Sequence, residues 1–82
     1  MTENQAAKLA DALTDLNLVQ RMRADTERHL AELEAAFERY PAYPGLREQV
    51  EEYRSRAEAV EALESLAQSV LERAEAAADP AP

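Results

Sequence analysis

Residues 39–46 read RYPAYPGL, and almost nothing else in the chain interrupts a helix. Pro41 pushes Tyr40 toward extended geometry and Pro44 does the same to Tyr43, because the proline ring crowds the helical backbone of the residue before it. Pro44 can itself stand at the first position of a new helix, where its missing N–H is harmless. Upstream, Thr2-Glu3-Asn4-Gln5 fits a capping box with Thr2 as N-cap, and a helix can run unbroken from about residue 2 to 40. Downstream, a second helix spans about 45–78, and residues 79–82 (DPAP) read as a frayed, disordered tail. Each helix is on the order of 50–57 Å long at 1.5 Å per residue. The fold class is therefore all-α: one domain over 1–78, with two long antiparallel helices folded at a corner over 41–44.

Composition agrees with this reading and limits the function. The 82 residues hold one glycine and no cysteine, and Ala, Glu, Leu and Arg dominate. Such a mixture builds long helices, not sheets. Without cysteine there is no disulfide, thiolate zinc or redox chemistry. Nothing at the N-terminus has the form of a signal peptide and no apolar run reaches membrane-spanning length, so a cytoplasmic protein is expected. Seventeen acidic side chains against nine basic ones give a net charge of −8. That surface repels phosphate backbones and anionic membranes, so neither nucleic acid nor membrane is expected as a partner.

The apolar residues form a stripe on each helix. On the first they fall at Leu9, Leu13, Leu16, Val19, Met22, Thr26, His29, Leu33 and Tyr40, with Leu30 and Phe37 beside them. On the second they fall at Leu46, Val50, Tyr53, Ala57, Val60, Leu63, Ala67, Val70, Ala74 and Ala77. Most steps alternate three and four, the spacing of a helix seam. Consecutive steps of three at Leu13-Leu16-Val19-Met22 and at Ala57-Val60-Leu63 imply local overwinding or a bend. Folding at the corner sets Tyr40 against Leu46, Leu33 against Tyr53, Thr26 against Val60 and Leu16 against Val70. Leu18, Leu30, Leu66 and Leu71 are then left on the flanks as a candidate oligomer interface. Two hairpins packed as a four-helix bundle would cover them.

Motifs for chemistry are scarce. A single His29 cannot build a two-imidazole metal site, and a single glycine cannot build a phosphate loop, so no metal, cofactor or catalytic residue is expected. His29, with Asp25 and Glu32 within a turn, reads as an edge-of-core residue with its polar end in water. Arg21, Arg23, Arg28, Arg54 and Arg56 gather at mid-length, where an anion site is conceivable. Each has a carboxylate four residues away (Asp25, Glu27, Glu32, Glu58 and Glu52), so a solvated lattice of ion pairs is the expectation. Phe37, Tyr40, Tyr43 and Tyr53 are the candidate partner-contact residues. Phe37 and Tyr40, on or beside the stripe, are expected to close the end of the bundle; Tyr43, off every stripe, is expected to make contacts.

The stretch LAELEAAFERYPAYPGLREQ resembles the end of a tetratricopeptide repeat, with Ala and Phe at helical spacing before a proline at the inter-repeat turn. That repeat's helices are much shorter, and its Gly and Trp positions are unmatched after Pro44. The layout is similar to Rop-type RNA-binding hairpin dimers, although the negative surface argues against RNA. Helical chorismate mutases also line sites with arginines from long dimerised helices, but the arginines here have carboxylate neighbours. The expected role is a non-enzymatic, homodimeric helical adaptor or regulator. Its alternatives are an obligate subunit of a larger helical complex, and a small enzyme or anion-binding protein using the mid-helix arginines.

Overall fold

The computed structural model describes residues 1–78. The expected tail at 79–82 lies outside the described residues. Two helices, α1 (Glu3–Arg39) and α2 (Leu46–Ala78), run antiparallel as a hairpin 62 Å long and 15 Å across. The all-α hairpin legible in the sequence is thus the observed fold.

Each helix end has a chemical cause. The Gln5 backbone N–H donates to the Thr2 hydroxyl oxygen at 3.1 Å, and the Thr2 N–H donates to the Gln5 side-chain oxygen at 2.9 Å. This reciprocal box satisfies two donors that the first turn of a helix leaves open. The Gln5 amide also donates to the Ala77 carbonyl at 3.0 Å, fastening the open end of the hairpin across the two helices.

At the corner, the Tyr40 N–H closes α1 on the Ala36 carbonyl at 2.8 Å. The Tyr43 N–H then donates to the Tyr40 carbonyl at 3.0 Å, and the Leu46 N–H to the Tyr43 carbonyl at 3.3 Å. Gly45 has φ +80°, in the left-handed region, and its carbonyl accepts the first α2 bond from Gln49 at 3.1 Å. Pro44 therefore lies in the turn and not at the first position of α2. The reversal needs a positive φ, glycine alone supplies it without strain, and α2 begins only after it. A Cβ at Gly45 would meet nothing within 4 Å, so Gly45→Ala should carry a purely backbone penalty of about 1–2 kcal/mol. Thermal melting followed by circular dichroism checks this.

The seam between the helices is more regular than the apolar letters imply. Buried or half-buried positions on α1 are Gln5, Leu9, Ala12, Leu16, Val19, Arg23, Thr26, Leu30, Leu33 and Phe37, with Ala36 beside them. On α2 they are Leu46, Val50, Tyr53, Ala57, Val60, Glu64, Ala67, Leu71, Ala74 and Ala78. Along both helices the steps alternate four and three throughout, an unbroken heptad register. The expected overwound patches are absent. Ala12, Arg23 and Leu30 take the seam places assigned above to Leu13, Met22 and His29, and Glu64, Leu71 and Ala78 take those of Leu63, Val70 and Ala77. The seam tolerates a charged pair, Arg23 with Glu64, and keeps its register through it. Leu16 consequently packs with Leu71, in a cluster with Ala12, Leu9, Ala67 and Ala74.

Candidate protein interface

A hairpin has two sides flanking its seam, and here they differ in chemistry. One side carries the groove lined by Gln20, Glu64, Ser65 and Gln68, which is polar. The other carries a groove lined by Ala12, Asp15, Leu18, Val19, Leu63, Leu66, Ala67 and Val70. It continues toward the open end between Lys8, Asp11, Asp15, Val70, Arg73 and Ala77. Leu18 and Leu66 are 56 % and 57 % exposed, and Met22, Leu63 and Val70 are also exposed. Met22 and Leu63 stand one residue before the seam pair Arg23 and Glu64, so heptad geometry sets them on the same side as Val70, which precedes Leu71. Five large apolar residues thus form a strip along one side. The strip occupies the half of the hairpin away from the corner.

The proposed oligomer residues separate accordingly. Leu18 and Leu66 lie on the strip. Leu71, 7 % exposed, is a core residue packed between the helices, and Leu30 is a half-buried seam residue. Both therefore move from the flank to the seam. The reason is the one-residue phase difference: where Leu71 rather than Val70 faces α1, Val70 turns outward. Met22, Leu63 and Val70, assigned to the seam by sequence, are the strip residues that reasoning missed. A strict heptad drawn through Arg23 and Glu64 would have found them.

The charged groups of the seam are tightly tied. Arg23 donates to Glu27 at 2.9 Å and to Glu64 across the helices. Bonds to Glu27 and Glu64 raise its pKa above the ordinary arginine value, so the guanidinium stays charged. Of the other mid-length arginines, Arg56 pairs with Glu52 at 2.6 Å, four residues away as expected. Arg28 instead takes Asp25 at 3.1 Å, and Arg54 crosses to Glu34 on the facing helix at 3.0 Å. Arg21 makes no ion pair with a described residue. Arg28 and Arg56 line one groove with Asp25, Thr26, His29 and Tyr53, whereas Arg21, Arg23 and Arg54 do not line it.

The aromatics also divide. His29 stacks against Tyr53 with ring centroids 4.4 Å apart, and Arg56 lies over the Tyr53 ring at 4.7 Å. The His29 Nδ1 stands 3.8 Å from Glu32. Phe37 is half-buried with Arg47 over its ring at 6.0 Å. Tyr40 and Tyr43 are 57 % and 67 % exposed in the hairpin, so Tyr40 projects from the corner as Tyr43 does. The cause is the non-helical backbone at Tyr40, φ −132° and ψ 63°, which takes its ring off the helical stripe.

Among the described residues no group of His, Asp or Glu has the arrangement of a metal site. Among them, too, no helix is long and apolar enough to cross a membrane. No family model, curated protein or solved structure matches this chain.

Proposed function

We propose that this chain is a non-enzymatic interaction module that homodimerises side to side into a four-helix bundle and serves as an adaptor or assembly unit. The observation that carries this reading is the strip of Leu18, Met22, Leu63, Leu66 and Val70 along one side of the hairpin. Contiguous exposed apolar surface rimmed by charge marks protein contact sites. Because the opposite side carries a polar groove and only Leu13 as an exposed aliphatic residue among the described residues, one partner layer covers most of the exposed apolar surface. The strip covers about half of the 62 by 15 Å outline, a footprint on the order of 450 Å², and the charged residues beside it extend the contact toward the roughly 800 Å² per partner that a stable interface buries. The exposed Tyr40 and Tyr43 at the corner remain available to a further protein in such a bundle.

The test is molar mass by light scattering across a concentration series. Wild type should run as a dimer, and Leu66→Asp should run as a monomer with unchanged helicity. Leu66 is exposed in the hairpin, so the charge costs the isolated fold little and the interface much. A wild-type monomer at all concentrations would reject the homodimer and favour a hairpin completed by another helical protein.

A further inference from the structure

We infer that the two copies of this dimer lie with their long axes parallel, corner beside corner, so that each α1 packs against the partner's α2. The inference rests on the homodimer reading and adds its geometry. Two symmetric arrangements can bury the strip of one copy on that of another. With the two-fold axis along the hairpin, α1 faces the partner's α2 at the same height. With the axis across the hairpin, α1 faces the partner's α1 running the other way, and the corners point to opposite ends.

Both arrangements bury the apolar residues; the charges beside the strip separate them. Asp11, Asp15 and Arg73 line the same groove as the strip's end, and none of the three makes an ion pair with a described residue. Heights along the hairpin follow from the packing of Leu16 on Leu71 and of Arg23 on Glu64. Corner beside corner, Leu18 meets the partner's Leu66 and Val70, and Met22 meets the partner's Leu63. One turn further toward the open end, Asp11 and Asp15 meet the partner's Arg73, and the two-fold axis makes the contact twice. In the opposed arrangement, centring α1 on Leu18 and Met22 brings Asp15 against the partner's Asp25 beside the apolar strip, and Lys8 of the same groove pairs with the partner's Glu32 only beyond it. Arg73 then falls level with Glu61, which lies one heptad before Gln68 and so belongs to the far side of the seam, leaving Arg73 without a counter-charge on the strip side. Opposite charges steer and fix register, and like charges placed face to face penalise the alternative. The favoured arrangement also gathers the exposed Tyr40 and Tyr43 of both copies at one end of the bundle.

The experiment uses the full chain with Asp15→Arg, Arg73→Asp, and an equimolar mixture of the two, reading dimer dissociation by sedimentation. Each single variant should dimerise about tenfold more weakly or worse, since a rim pair is replaced twice by a repulsion. The mixture should recover a dimer of near wild-type affinity, because both of its interfaces then hold an Arg–Asp pair. The opposed arrangement instead requires Asp15→Arg to tighten the dimer against the partner's Asp25, and that result would overturn the inference. Orientation is read independently by spin labels at Ala42→Cys in this cysteine-free chain. Corners side by side place the labels within about 30 Å, and opposed corners separate them by about 65 Å. A long label distance in a stable dimer would overturn the orientation alone. A wild-type monomer would overturn the homodimer reading itself.

Discussion

Leu71→Ala is expected to lower the stability of the hairpin by roughly 2–4 kcal/mol, while Leu13→Ala changes it by about 0.5 kcal/mol or less. Leu71 is 7 % exposed and belongs to a cluster in which both helices bury aliphatic groups, with Leu16 and Ala12. Truncating it removes that apolar contact and leaves a void that a pair of long helices closes only in part. For a chain of this size the loss corresponds to a melting temperature lower by roughly 10–20 °C. Leu13 carries the same side chain, and the apolar spacing assigns it to the seam. It is exposed, because Ala12 holds the seam place. Equal effects at the two positions would mean that the seam does not follow the heptad register. The comparison uses one chemistry at two phases of the register, so side-chain size cannot account for a difference.

Replacing both members of the seam ion pair, Arg23→Leu with Glu64→Leu, should raise the melting temperature and weaken the specificity of helix pairing. A fully buried Leu contributes roughly 1.5–3 kcal/mol over an exposed one. Both sites keep partial exposure, so a rise of roughly 5–15 °C is expected for a chain of this length. Charged pairs between helices are often matched or exceeded in stability by apolar replacements of similar volume. What the pair supplies is choice of partner. Were α1 to pair in register with a second α1, Arg23 would face Arg23, and two α2 helices would set Glu64 against Glu64. Only α1 against α2 brings opposite charges together, as observed. Leucine at both positions removes that penalty. Sedimentation of the double variant should therefore reveal species larger than the wild-type assembly. A single well-defined species identical to wild type would show that the corner alone dictates the pairing.

The corner and the helix ends were legible from the sequence because their causes are local. Thr2 and Gln5 satisfy each other's backbone within one turn, and Pro41 and Pro44 act on the residue directly before them. Gly45 carried a local signal that the reading of Pro44 as the first residue of α2 passed over: a Pro-Gly step marks a turn, and the positive φ belongs to glycine. With nothing else to interrupt the helices, a reversal at one point leaves a hairpin as the compact solution.

The phase of the seam was not local. Counting apolar letters draws the stripe through Leu13, Met22, Leu63 and Val70, since each is more apolar than its neighbour Ala12, Arg23 or Glu64, and Val70 fits that spacing better than Leu71. The structure places the neighbours inside because two helices packed side by side along α2, on the order of 50 Å, keep one register along their whole length. A local shift toward Met22 would cost alignment at Leu9, Leu16 and Leu33 for the gain of one side chain. Arg23 is accepted at that price because Glu64, 41 residues away in sequence, stands opposite it. From that single phase follow the burial of Leu71, the half-burial of Leu30 and the outward turn of the five residues of the strip. Sequence determined that the chain is a hairpin and where it bends. Tertiary structure decided which apolar residues are spent inside it and which are left for a partner, because that choice depends on what each residue meets across the seam.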